Sequence, residues 1–178
     1  MTDTDFEYGM RDPERHLSEF VEMFWMLTNH SEKGKEIVII PDGRIDIIFS
    51  ISGNEQLNVT LLGLENKYEE TIFPPENIFF GVSLKLLSVE YLLGSPVSNL
   101  LNNAKRLPEG FWGIEAVDLN DFDGFCVKVS AKITSLIQPD IDPRKQKLFD
   151  LIYSSGGSLT VKELTKMVHW SSRQINRY

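Results

Sequence analysis

The sequence predicts an α+β chain in which a small antiparallel β-barrel or jelly roll with accessory helices precedes a short helical segment. Three observations carry that expectation. Between Phe20 and Leu84, short apolar stretches alternate with turn residues, the texture of an all-β unit. Beyond Leu84 the apolar residues fall three and four apart, the spacing of helices. The charge is also divided: residues 1–143 hold 11 Lys and Arg against 24 Asp and Glu, a net −13, whereas residues 144–178 hold 7 against 2, a net +5. With 178 residues, 42% of them apolar and 25% charged, the chain is long enough to bury a core and has neither a disordered nor a disulfide-stapled composition.

The strands follow in order. Phe20 to Leu27 is the first candidate. Glu36 to Ile40 runs into Pro41-Asp42-Gly43, after which Arg44 to Ile51 resumes; a Pro that fixes φ and a Gly that permits positive φ predict a hairpin between the two arms. In the second arm Ile45, Ile47, Phe49 and Ile51 share one face, while Arg44, Asp46 and Ser50 fall mostly on the other, so one face is buried. A turn at Ser52-Gly53-Asn54 leads to Gln56 to Leu62, then Lys67 to Phe73 and Asn77 to Leu84, the last two parted by Pro74-Pro75-Glu76. Six antiparallel strands of this kind suggest a barrel or jelly roll.

The helices come next. Leu86, Leu87, Tyr91 and Leu92 have helical spacing, Gly94-Ser95-Pro96 interrupts them, and Val97 to Asn103 reads as another short turn. A longer helix spans Asp121 to Ile137, where Phe122, Phe125, Val129, Ile133 and Leu136 form an apolar stripe. Such a stripe must be covered, either by the barrel or by the same helix of a second subunit in a homodimer. Residues 138–143 contain two prolines and mark a linker. The expected domains are therefore 1–137 and 144–178.

In the second domain Asp142 is an N-cap with Pro143 at the first helical position, and Gly156-Gly157 stops that helix after the stripe Leu148, Leu151, Ile152. Thr160-x-x-Glu163 and Ser171-x-x-Gln174 are two capping boxes. Two short capped helices separated by His169-Trp170 predict a helix-turn-helix, whose second helix presents side chains to the major groove of double-stranded DNA. The DNA-binding candidates are Ser172, Arg173, Gln174, Asn176 and Arg177. Arg suits guanine or phosphate, and the amides of Gln174 and Asn176 suit adenine. The net +5 of the segment agrees with contact to phosphate, the alternative being a chance cluster of solvated charges.

Leu164, His169, Ser171, Arg173, Ile175 and Arg177 resemble the first helix-turn-helix of the AraC/XylS family of bacterial transcription regulators, with Thr165 where that family prefers Ala. Leu17, Val21, Phe24-Trp25, Pro41-Asp42-Gly43, Asp46-Ile47-Ile48-Phe49 and Phe80-Gly81-Val82 are similar to the cupin-like sensory domain of one branch of it. The resemblance implies a cytoplasmic one-component regulator with a cupin-like N-terminal domain. It also implies a second helix-turn-helix beyond Tyr178, so the segment 144–178 is expected to be an incomplete DNA-binding domain that binds operator DNA weakly or not at all by itself. The competing reading is a small-molecule-binding or protein-interaction module without a DNA role.

Other chemistry finds little support. The three histidines, His16, His30 and His169, are scattered, and no strand pairs His with His or Glu, so neither a metal site nor a cofactor is expected. Cys126 lies on the helical stripe, where a small buried apolar residue is the simpler reading than a nucleophile. No phosphate-binding Gly-rich loop and no catalytic constellation is seen, so no enzyme is expected. No apolar run approaches the roughly 18 residues of a membrane span. A barrel interior could hold a small-molecule effector, with Trp25, Phe49, Phe73 and Phe80 as candidates for lining it.

Overall fold

The structure, a computed structural model, describes residues 5–51, 56–94, 97–137 and 140–177. The expected turn at Ser52-Gly53-Asn54, the Ser95-Pro96 break, the Gln138-Pro139 part of the linker and Tyr178 lie outside those residues. The chain is α+β and divides into two compact units, Met1–Ile137 and Gln138–Tyr178.

The first unit holds eight strands: β1 (Phe6–Arg11), β2 (Val21–Asn29), β3 (Lys35–Ile39), β4 (Ile45–Ile51), β5 (Leu57–Leu62), β6 (Glu69–Phe73), β7 (Asn77–Leu84) and β8 (Ala104–Arg106). They form two antiparallel sheets, one of six strands in the order β1-β2-β7-β4-β5-β8 and one of two, β3-β6. Among the described residues no hydrogen-bonded ring closes, so the β unit is two sheets and not a closed barrel. The hairpin expected across Pro41-Asp42-Gly43 is also corrected. β3 pairs with β6, and β4 pairs with β5 and β7. The turn is a corner that passes the chain from one sheet to the other. Gly43 takes φ +75° there, and Asp42 Oδ1 accepts the Arg44 N–H at 2.9 Å, an Asx turn that fixes the change of direction.

The strand period of two separates the faces of the large sheet. Ile45, Ile47, Phe49, Phe24, Phe80, Val82 and Leu84 are buried. Over the aromatic part of this face lies α1 (Phe122–Leu136), started by Asp121, whose carboxylate accepts the Gly124 N–H at 2.8 Å. Phe125 meets the rings of Phe24, Phe49 and Phe80, and Phe122 meets Phe80. The aromatic end of the stripe is thus covered by the chain's own sheet. Phe125, Val129 and Ile133 are buried, each stabilising the unit by about 1.5–3 kcal/mol.

Short turns join these elements. Val89–Leu93 and Ser98–Leu100 are single helical turns, where the sequence suggested slightly longer ones. Buried Asn29 is fully used: it donates to the carbonyls of Lys33 and Pro74 at 2.8 and 2.9 Å and accepts from Ser31, so the loop after β2 is fastened beside the end of β6.

The second unit contains α2 (Pro143–Ser154), α3 (Val161–Val168) and α4 (Ser172–Ile175). Asp142 caps α2 by accepting the Arg144 N–H at 2.9 Å, with Pro143 in the first turn. Gly156 and Gly157, at φ +58° and +73°, end it in the left-handed region that glycine reaches without strain. Leu148, Leu164, Val168, Trp170 and Ile175 form the core, with Leu151, Ile152 and Leu159 packed against it.

Candidate functional site

Among the described residues, converging side chains with access are found in a cavity and on a helical surface. The first is a cavity of about 500 Å³ within the first unit, between the face of the large sheet opposite α1 and the small sheet, a volume suited to a small organic molecule. Met23, Trp25 and Leu27 of β2, Ile48 of β4 and Phe79 of β7 form one wall. Ile37 and Ile39 of β3 and Phe73 of β6 form the other.

Of the four residues expected to line such a space, Trp25 and Phe73 do so. Phe49 and Phe80 do not. They are directly paired across β4 and β7, are 0% and 1% exposed, and touch Phe125 of α1. Strand alternation decides this: Phe24, Phe49 and Phe80 point to the helix side, so their neighbours Trp25, Ile48 and Phe79 point to the cavity.

Trp25 reaches its position because of Gly81. The two are cross-strand partners, and a Cβ at residue 81 would fall within the indole ring. The bare backbone of β7 therefore accepts the indole. Its Nε1–H donates to Asp46 Oδ1 at 2.9 Å, and Ser83 Oγ donates to the same oxygen. Burial pushes the Asp46 carboxyl above the ordinary carboxylate range, opposed by those two hydrogen bonds.

Asp42, Arg44 and Glu65 add further charged groups to the lining. The terminal nitrogens of Arg44 are engaged: Nη2 lies 2.7 Å from Glu22 and Nη1 3.1 Å from Asp42, while Lys85 lies 3.4 Å from the other oxygen of Glu22; its Nε is buried without a partner among the described residues. Glu65 is different, since both of its carboxylate oxygens are closed off from solvent and accept no hydrogen bond from the described residues. Burial, then repulsion from Glu69, Asp46 and Asp42, raises its pKa. Tyr8 at the rim is raised by burial and by the charges of Asp46 and Asp42. Neither Asp46 nor Glu65 was singled out from the sequence as a ligand-facing residue; alternation placed Asp46 off the core face but could not show a second sheet opposite it, and Glu65 carries no local signal.

Metal-ligating groups do not converge: among the described residues no three of His, Cys, Asp and Glu could hold a metal ion. His16 Nε2 lies 2.9 Å from the Thr134 hydroxyl. The Cys126 thiol is buried on α1 and its pKa is pushed up to about 11, chiefly by burial.

The second place is the surface of α3 and α4. Thr160 Oγ1 accepts the Glu163 N–H and Glu163 accepts the Thr160 N–H at 2.8 Å. Ser171 and Gln174 repeat the arrangement, with the Ser171 N–H given to Gln174 Oε1 at 2.9 Å. Between them His169 adopts φ +56°, ψ +37°, the left-handed turn that redirects the chain, and Trp170 and Ile175 enter the core. Ser172, Arg173, Gln174, Asn176 and Arg177 are all exposed around buried Ile175. The Gln174 carbonyl oxygen also accepts the Ser171 hydroxyl at 2.9 Å, so the amide pair needed to read adenine is half used within the helix. Thr165 donates its hydroxyl to the Lys162 carbonyl at 2.7 Å, which satisfies the polar group that stands where Ala would fit more simply. Arg144 lies over the Trp170 ring at 5.4 Å.

No described helix is long and apolar enough to cross a membrane. A family model with the description Domain of unknown function (DUF6597) matches residues 10–105. No curated protein and no solved structure matches the chain.

Proposed function

The chain belongs to the DUF6597 family, whose matched segment covers more than half of its length, and on the geometry of its two units we propose that it is a cytoplasmic one-component transcription regulator of the AraC/XylS kind. Domains of this family are commonly the N-terminal part of AraC-like regulators. In this reading the first unit binds a small-molecule effector in the cavity between its sheets. The second reads double-stranded DNA with the exposed side of α4, no catalytic step being involved.

The observation that carries the reading is the pair of reciprocal capping boxes on either side of left-handed His169. They start two short helices in quick succession and hold Ile175 inward, so that Arg173, Asn176 and Arg177 point outward together. Arg173 and Arg177 lie one turn apart and suit guanine or phosphate, and the Asn176 amide suits a base edge. The net +5 of residues 144–178 supplies the phosphate attraction that the acidic remainder does not. An effector regulates such a protein only by binding its two states unequally, with a typical coupling of about 1–3 kcal/mol.

The test is selection of duplexes from a randomised DNA pool at about 50 mM salt, where weak phosphate-assisted binding is retained. The expected result is an enriched motif that disappears when Arg173 and Arg177 are both replaced by Ala. Enrichment indifferent to both arginines would take α4 out of the reading and favour a small-molecule-binding module; a pool that stays random would do so only where a fusion supplying a second DNA-binding unit also enriches no motif.

A further inference from the structure

We propose that the cavity between the two sheets is selective for an organic cation: an ammonium group carried on an apolar, ring-sized body. This rests on reading the cavity as an effector site and specifies the chemistry of its occupant.

The charge of the lining is the first ground. Three carboxylates, Asp42, Asp46 and Glu65, line the space, and Arg44 is the sole cationic side chain among the described lining residues. Arg44 is already held by Glu22 and Asp42. An anion entering here finds only the Nε of that guanidinium without a partner among the described residues, and it would face Asp46 and Glu65 as well. A cation meets no such opposition.

Glu65 is the second ground. Its two oxygens are buried and receive no donor from the described residues, an arrangement that is costly for a carboxylate unless something else supplies the partner. An ammonium N–H does so, and its charge also relieves the repulsion that Glu65 feels from Glu69, Asp46 and Asp42. A bare metal ion is a poorer candidate, because the described acidic groups do not gather into a chelating set.

The aromatic residues are the third. Trp25 has given its N–H to Asp46 and has one ring face over Gly81, so its other face is what it offers to the cavity. Phe73 and Phe79 stand edge to face with centroids 4.6 Å apart, and Tyr8 closes the rim. Ring faces beside carboxylates attract alkylammonium groups, while Ile37, Ile39, Ile48 and Leu27 take an uncharged body.

The experiment titrates the whole chain by calorimetry near neutral pH with three probes of one shape: 3-phenylpropylamine, 3-phenylpropanol and 3-phenylpropionate. The amine should bind at least about tenfold more tightly than the alcohol, and the propionate most weakly. Glu65→Gln should bring the amine to within about threefold of the alcohol, and Asp42→Asn, at the exposed corner, should narrow the gap by less. Thermal unfolding of each variant guards against loss of the fold. If the alcohol or propionate binds as well as the amine, or if folded Glu65→Gln and Asp42→Asn both keep the full preference, cation selectivity is wrong although the cavity remains a ligand site. If none of the three binds at about 10 mM, the effector-site reading falls with it.

Discussion

Trp25 covers Gly81, its cross-strand partner, so closely that the glycine has no room for a side chain. That single contact places the indole N–H on Asp46 and sets one wall of the cavity.

Gly81→Ala should therefore displace the indole. The overpacked methyl and the loss of a hydrogen bond to a buried carboxylate together cost about 2–4 kcal/mol. Urea unfolding measures the loss, and tryptophan emission should shift to the red as Trp25 moves. In a cycle with Trp25→Ala the two effects should fall well short of additive. Full additivity would mean that the indole does not need the bare backbone of residue 81.

The carboxyls of Glu65 and Asp46 lie above their ordinary values because burial disfavours the charged form. Such groups hold protons more tightly in the folded than in the unfolded chain. Their favourable contribution is complete below the ordinary values of 4.5 and 3.8 and is lost as pH rises through the raised folded values. Glu65→Gln should accordingly be at least as stable as the parent at neutral pH, with the difference shrinking as pH falls toward about 4. A variant clearly less stable at neutral pH, measured in denaturant, would show that the carboxylate has a donor.

At DNA, Arg173→Ala should weaken binding to a selected operator by about 1–3 kcal/mol and relax preference at one base pair. Gln174→Ala should act elsewhere. Its carbonyl oxygen caps its own helix, so the change should lower the stability of the second unit by about 0.5–1 kcal/mol with little effect on base preference. Mobility-shift titrations on matched and mismatched duplexes, beside circular dichroism melts, separate the two effects.

Cys126 should resist alkylation in the native protein. A buried thiol with its pKa pushed up to about 11 is almost wholly un-ionised at neutral pH, and the thiolate is the reacting form. Iodoacetamide at mildly alkaline pH should label it only after denaturation; labelling at the rate of an exposed cysteine would place α1 off the sheet.

What the sequence revealed depended on how local each signal is. Alternating Ile45, Ile47 and Phe49, the caps Asp142, Thr160 and Ser171, and the stop at Gly156-Gly157 act within one turn or one strand, and each element they specify is present. β1 and β8 escaped notice for the converse reason. β1 is an edge strand with Glu7, Tyr8, Met10 and Arg11 exposed, and β8 is three exposed residues, so neither shows a buried alternation. The partner of β3 is about thirty residues away in β6, and a Pro-Asp-Gly turn does not disclose whether the chain folds back or crosses to another sheet. The same non-locality hid the cavity, since Asp46 and Glu65 acquire their surroundings only when the second sheet is in place.

β3 and β6 hydrogen-bond to each other and, among the described residues, to no strand of the large sheet. A displacement of this outer wall would consequently break no rung of either ladder. Admission to the space beneath it would be resisted by side-chain adhesion and, at one end, by the bonds that Asn29 gives to the Lys33 and Pro74 carbonyls, a barrier that an entering molecule with greasy flanks can itself help to lower.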